Sequence, residues 1–389
     1  MKMVGLFAGI GGIEEGFRRV VGASLQTELL CEYWEPAQSV LRDRFEDVEQ
    51  WSDVRDLPGL PSNVDVLAAG FPCTDLSQAG RTAGIEGEQS GLVSHVFRLL
   101  SQAQRQPTWL VIENVPNMLL LNQGRAMAYL VDALESLGLR WAYRVVDARA
   151  TGLPQRRRRV ILVASAVEDP SSVLFTDDAG EPPADRYRQD AFGFYWTEGR
   201  GGLGWAVDAV PTLKGGSTLG IPSPPAVWLP DESPGRRLVT PTIGDAERLQ
   251  GFPDGWTSAA STPHKRGPRW KLVGNAVPVN IASWLAGKIQ TPSNANVASY
   301  RLDGKRWPVA ARGAAGAWEG IDISEFPVHA AYEHLVNVVD TNKASPLSLR
   351  AASGFWSRLS SANLGRHPGF RDAVQEHVDI LATHGTVRS

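Results

Sequence analysis

Only two cysteines, Cys31 and Cys73, occur in 389 residues. That excludes a disulfide framework and a cysteine-rich zinc site, suits a reducing cytoplasm, and leads us to expect no metal. No uninterrupted apolar run approaches the roughly 18 residues of a membrane span, so no membrane association is expected. The N-terminus, Met1-Lys2-Met3-Val4-Gly5-Leu6, enters a strand-like segment without a charged leader, so no signal peptide is expected. No internal repeat is evident. A strong net charge is also missing: at −3 the chain does not announce a nucleic-acid binder. What remains is an ordinary globular composition, long enough for two or three domains.

The distribution of charge says more than its sum. From Arg140 to Ser165 there are seven Arg against one acid, Asp147. From Thr262 to Lys271 there are four bases and no acid. Two local basic clusters in a balanced chain suit either phosphates or plain solvated surface.

Val4-Gly5-Leu6-Phe7 reads as a first strand, Ala8-Gly9-Ile10-Gly11-Gly12 as a glycine turn, and Ile13 to Val20 as a helix. Strand, glycine turn and helix open a nucleotide-binding α/β unit, where backbone amides approach a ligand closely. A second strand, Leu25 to Cys31, ends in Glu32-Tyr33-Trp34. An acid there, about 20 residues past the glycines, is where such folds hold ribose hydroxyls. An adjacent aromatic, Tyr33 or Trp34, can stack on adenine, with spacing to Ala37 favouring Tyr33. Asp53 can cap a turn or take an adenine amino group.

The apolar run Val64 to Ala69 leads into Gly70-Phe71-Pro72-Cys73. A thiol on the loop leaving a buried strand is a candidate nucleophile, or simply a small buried residue. Gln78 to Gly91 is polar and glycine-rich, and reads as a mobile loop. A helix from Leu92 to Gln104 and a strand at Trp109 to Ile112 follow, the strand ending in Glu113-Asn114-Val115. Gly124 to Leu137 reads as helix, and Arg140–Val146 and Val160–Ala164 as strands. Between those strands Gln155 precedes four consecutive Arg. Alternation turns Arg157 and Arg159 one way and Arg156 and Arg158 the other.

Residues 169–240 are rich in Pro, Gly, Asp and Ser and read as a loop-rich, β-leaning domain. A short helix from Ile243 ends in Arg248-Leu249-Gln250-Gly251-Phe252-Pro253, and Gly274-Asn275-Ala276-Val277-Pro278 opens another through Ile289. Residues 292–389 carry no recognisable catalytic constellation, with helices expected at 328–339, 347–360 and 369–383.

Six of these stretches, in this order, resemble the DNA cytosine-5 methyltransferase family: 7–12, 70–73, 113–115, 155–159, 248–253 and 274–278. The resemblance covers about residues 1–290. It implies an α/β fold: a Rossmann-like S-adenosylmethionine-dependent domain with a mixed sheet, at 1–167. The irregular 168–242 falls where the family places its target-recognition domain. Residues 243–291 would return to the catalytic domain, and 292–389 would form a mainly α extension without an assigned role.

The resemblance implies transfer of a methyl group from S-adenosyl-L-methionine to C5 of a flipped-out cytosine in a specific duplex DNA sequence. Cys73 would attack C6, because a thiolate adding there makes C5 enamine-like. Glu113 would hold cytosine N3 and the exocyclic amine. Arg159 would bind O2, and Arg157 would contact phosphate or hold the Cys73 loop. Phe7, Gly9, Gly11, Gly12, Glu32, Tyr33, Asp53, Pro72 and Asn275 would surround the cofactor. Ser77, Gln78, Gln155, Arg156 and Thr212 would face DNA, and Gln78 to Gly91 would close over the flipped base. A monomer on double-stranded DNA, with a possible cognate restriction endonuclease in a bacterial or phage setting, is the expected context. A transfer-RNA cytosine-5 methyltransferase is the rival enzyme. A DNA-binding protein on a dead methyltransferase scaffold is the non-enzymatic rival, opposed by the presence of Cys73, Glu113 and Arg159.

Overall fold

The computed structural model describes residues 1–72, 91–215, 224–261 and 267–386. Cys73, Ser77, Gln78, the rest of the expected closing loop up to residue 90, and Thr262 to Arg266 of the second basic cluster lie outside the described residues. The chain divides into two compact units.

The first unit comprises Met1–Thr151, Arg158–Pro182 and Ala276–Ala330. Its centre is a sheet of ten described strands. Five are parallel: β1 (Lys2–Leu6), β2 (Gln26–Cys31), β3 (Glu49–Trp51), β4 (Val66–Ala69) and β5 (Trp109–Asn114), in spatial order β5-β4-β1-β2-β3. Every residue of β4 and β5 is buried, as expected where a parallel strand is covered on both faces. The chain leaves β1 toward β2 on one side and later returns to β4 on the other. The crevice between β1 and β4 is therefore a topological switch point, where open α/β sheets bind ligands. Register sharpens this. Leu6 pairs with Cys31 and Ala69, and Cys31 with Trp51, so the loops after β1 to β4 start at one level, and β5 runs two residues past Ile112, the partner of Ala69.

Helix α1 (Gly12–Val21) follows β1. It carries Glu14 and Glu15 in its first turn and Arg18 and Arg19 in its last, matching the helix dipole. Two further helices, α2 (Glu35–Arg44) and α3 (Leu92–Gln102), link the later parallel strands. Gly16 lets α1 meet the helix Val279–Gln290 closely: a Cβ there would lie 2.4 Å from the Ala282 Cβ.

The other half of the sheet is antiparallel. The strand Arg140–Asp147 and the strand Arg158–Ser165 extend it beyond β5. Residues 292–389 hold the helices Leu349–Ser360 and Phe370–Thr386 near the expected 347–360 and 369–383, but they also supply strands that were not expected. Three strands, Ser299–Arg301, Ala310–Ala314 and Ala317–Ile321, complete this sheet, with Ala310–Ala314 pairing antiparallel to the strand Arg140–Asp147. They cover what would otherwise be an open edge, a liability for pairing with other chains. Trp141, Tyr143, Trp307 and Trp318 form one aromatic cluster there, and Glu135 accepts from the indole N–H of both Trp141 and Trp318 at 2.8 Å. The strands are short and contain Gly313 and Gly320, which hid them from a periodicity reading.

The second unit comprises Gly152–Arg157, Pro183–Asn275 and Ala331–Ser389. The stretch 243–291, expected to return whole to the catalytic domain, divides at Asn275. Five short strands, Phe192–Phe194, Ala206–Val207, Ala226–Trp228, Leu238–Thr240 and Ser345–Pro346, make an antiparallel sheet. The helices Leu349–Ser360 and Phe370–Thr386 pack on it. Phe192, Phe194, Trp228, Phe355 and Phe370 share its core. The C-terminal residues thus supply half of that core. The helix expected over 328–339 shrinks to Leu335–Val338. Its start is fixed by buried Asp208, which accepts from Leu335 N–H at 2.7 Å.

Candidate active site

Phe7 leaves β1 with φ 55°, a left-handed conformation that a bulky residue rarely adopts, and Gly9 and Gly11 follow with φ 57° and 79°. These turns fold the loop back so that Ala8 N–H reaches Cys31 O and Gly11 N–H reaches Ala8 O. The Glu32 carboxylate is then pinned from two sides, accepting from Gly9 N–H at 2.9 Å and from Trp34 N–H at 2.8 Å. Burial raises its pKa against the lowering effect of those amides. A Cβ at Gly9 would meet nothing within 4 Å, so open space lies beside the loop.

Tyr33 is 73% exposed, a flat ring with the Arg55 guanidinium carbon 6.0 Å from its centre. Asp53 is nearly buried and accepts from Arg55 N–H and Nε at 2.9 Å. The Arg55 side-chain bond holds its carboxyl below the ordinary range. Open space over glycines, an oriented carboxylate, an unstacked ring and a second acid suit a cationic, hydroxyl-bearing, adenine-bearing cofactor such as S-adenosyl-L-methionine. Asn275 belongs to the second unit, where a Cβ at Gly215 would lie 2.6 Å from its Oδ1.

The two cysteines are not equivalent. Cys31 is buried in β2, and burial, then the charges of Glu32 and Asp53, push its thiol up to about 12. It stays a thiol and is no nucleophile.

At the same end of the sheet, β5 ends in Glu113-Asn114. Asn114 donates its Nδ2 to Phe71 O at 3.0 Å and accepts Val115 N–H at its Oδ1. It therefore holds the backbone that leads into Pro72 and Cys73. Gly70 N–H bonds to Leu6 O at 3.2 Å, and the Phe7 and Phe71 rings meet edge to face, tying that loop to the glycine loop. Pro72 is exposed at the end of the described stretch. Glu113 receives Nε of Arg159 at 2.7 Å. Arg159 also donates to Arg158 O at 2.8 Å, and burial lowers its pKa while Glu113 offsets that.

The expected alternation of the arginines is present: Arg157 and Arg159 are buried, Arg156 and Arg158 exposed. Arg157 gives its two terminal nitrogens to Leu213 O and Gly274 O, both at 3.0 Å, within the second unit. Gln155 beside it donates to Leu249 O at 2.8 Å and accepts Leu213 N–H at 3.1 Å. Gln155 was expected to face DNA, and in the structure it is wholly buried. Arg156 reaches Trp205 O, and Thr212 donates its hydroxyl to Arg156 O, both at 2.8 Å.

Sequence reasoning missed Asn114 as an anchor and Glu14 as a buried acid. The second left a signal: Glu14 shares a helix stripe with Phe17 and Val21, an apolar face where a charge is out of place.

The family profile for C-5 cytosine-specific DNA methylase matches residues 1–190. Type II methyltransferase M2.BsuMI of Bacillus subtilis (strain 168) is 44% identical over 372 residues, covering 92% of this chain and 93% of that protein. Type II methyltransferase M.MspI of Moraxella sp. is 26% identical, covering 74% and 70%. Among solved structures, Dnmt2 methyltransferase of S. pombe superposes with a TM-score of 0.54 at 14% identity, covering 73% of this chain and 97% of that one, a likeness of fold. Full-length similarity at that level, with the glycine loop, the Glu113–Arg159 pair and the anchored approach to Cys73, means that the chain belongs to the C-5 cytosine-specific DNA methylases, enzymes that draw their methyl group from S-adenosyl-L-methionine.

Proposed function

We propose that this enzyme methylates C5 of a flipped-out cytosine in a specific double-stranded DNA sequence, as the methyltransferase of a type II restriction-modification system in the cytoplasm. It would act as a monomer on DNA. The observation that carries the mechanism is the buried Glu113–Arg159 pair beside the strand end where Asn114 holds the Phe71 backbone.

In this reading Cys73, as thiolate, adds to C6 and makes C5 nucleophilic. Glu113 holds N3 and the exocyclic amine, favouring N3 protonation during attack. Arg159 binds O2 and stabilises charge there. The bound cofactor supplies an electrophilic methyl group. After transfer the C5 proton leaves to water and the Cys73–C6 bond breaks, restoring aromaticity. Glu32 holds the ribose hydroxyls, Tyr33 stacks on adenine, and Asp53 takes its amino group with its remaining lone pairs. Phe7, Gly9, Gly11, Gly12 and Pro72 line the methionine side. Ser77, Gln78 and Arg156 contact DNA, and Gln78 to Gly91 closes over the base. Thr212 is a phosphate contact. Gln155 and Arg157 act from beneath, holding the loop that carries Thr212. The second unit reads base edges, with the C-terminal helices as part of its core.

Duplex DNA carrying 5-fluorocytosine in the target sequence tests this, since fluorine cannot leave as a proton does. A covalent adduct mapped to Cys73, absent in Cys73→Ala, is expected. Parallel assays on duplex DNA and transfer RNA decide the substrate. Turnover by Cys73→Ala would remove the mechanism.

A further inference from the structure

The first turn of α1 holds a carboxylate that the chemistry above does not use. Glu14 is 1% exposed. Its Oε1 fills the space that Gly5 leaves in β1: a Cβ on Gly5 would lie 2.1 Å from it, and 2.9 Å from Leu30 Cδ2 of β2. Glycine weakens a strand interior, and room for this carboxylate is a reason for one here. Glu14 Oε2 has no hydrogen-bond partner among the described residues.

The cations on the neighbouring elements are engaged with other acids. On β1, Lys2 pairs with Glu28 of β2. On α1, Arg18 and Arg19 pair with Glu15. On the helix Val279–Gln290, Lys288 pairs with Asp177. The other charge that bears on Glu14 is Glu32, which holds Gly9 N–H. Glu14 follows the glycine loop by two residues and Glu32 bonds to its Gly9 amide, and among the described residues no cation pairs with either carboxylate.

We propose that Glu14 is a proton-linked charge sensor for the cofactor: it faces the cationic sulfonium form as a carboxylate, and takes up a proton from solvent when the neutral thioether product remains. The inference rests on the cofactor reading of the glycine loop. Burial pushes the carboxyl from 4.5 up to about 7, with its backbone N–H lowering it and Glu32 raising it further. A cation brought near lowers that value and a neutral ligand does not. The sign follows. Sulfonium binding releases a proton below pH 7, so affinity rises with pH up to about 7 and is flat above. Product affinity does not follow pH, and the site prefers cofactor to product most at neutral pH and above.

Calorimetry of the full chain with S-adenosylmethionine and with S-adenosylhomocysteine, at pH 5.5 to 7.5 in two buffers of different ionisation heat, counts the protons. A ligand α-amino group, titrating at about 7.7–8.0, is already charged at pH 6 and adds nothing there. The expected result is proton release with the sulfonium ligand only, and an affinity rising on the order of tenfold across the range, one pKa unit being tenfold. Glu14→Gln should flatten that profile and shrink the cofactor-over-product preference. Equal proton release with both ligands in the wild type, which needs no variant to fold, would overturn the proposal. So would an unchanged profile in Glu14→Gln, with Glu32 then the titrating group. Failure of the wild type to bind either ligand would instead remove the cofactor reading beneath it.

Discussion

Arg159 Nε lies 2.7 Å from Glu113 Oε1, and both side chains are almost sealed from water. The pair joins two antiparallel neighbours, β5 and the strand Arg158–Ser165, at the sheet end where the catalytic loops start. Removing one partner of a buried pair leaves the other charge uncompensated, at about 3–5 kcal/mol. The two groups proposed to hold the base therefore also preserve each other in its absence.

Glu113→Gln keeps an acceptor for Arg159 and loses the carboxylate. We expect methyl transfer to fall by about 10²–10⁴-fold, the usual scale for a general acid–base group. Cofactor affinity should stay near wild type, because Glu113 lies at the end of β5 and the glycine loop follows β1, with β4 between those two strands. Single-turnover methylation with calorimetric cofactor binding separates the two. Loss of cofactor binding in a folded variant would contradict the assignment.

Arg156 and Arg157 are adjacent but should behave differently. Arg157 is buried against Leu213 O and Gly274 O. Arg157→Met should lower the melting temperature and leave the salt dependence of DNA binding unchanged. Arg156 is exposed, so Arg156→Gln should leave stability alone and reduce the slope of log affinity against log salt by about 1, as loss of one phosphate contact does. The opposite assignment of the two effects would refute this division.

Glu14 also sets a pH dependence on stability. Its folded-state pKa is raised, from 4.5 to about 7. As pH rises above 4.5 the unfolded chain ionises first, so wild-type stability falls until about pH 7 and is level beyond. Glu14→Gln removes that loss. It should be more stable than wild type at pH 8, by up to about 3 kcal/mol, and the difference should vanish toward pH 4.5. Urea unfolding at the two pH values measures it.

Truncation after residue 291 removes three strands of the main sheet, Trp307 and Trp318, and with the helices Leu349–Ser360 and Phe370–Thr386 about half of the aromatic core that holds Phe192 and Trp228 in the second unit. We expect an insoluble or unfolded product. A folded, active truncation would show that these residues are an appendage.

The chain by itself determined the parallel half of the fold and the order of the chemistry. Continuous apolar runs such as Val66–Ala69, and glycines between a strand and a helix, are local signals that burial and backbone geometry write directly into sequence. The alternation of Arg156 to Arg159 was legible for the same reason, since side-chain direction in a strand has a period of two. Tertiary structure alone decided that Arg157 and Gln155 are buried ties, because the carbonyls they hold belong to residues far along the chain. It also decided that residues 299–321 finish a sheet and 345–386 a second core. Those strands are short, glycine-bearing and stabilised by non-local partners, so their own sequence carries little of the reason they form. Glu14 stands between the two cases: its place on an apolar helix stripe was visible, but the space that receives it exists only where α1 crosses Gly5.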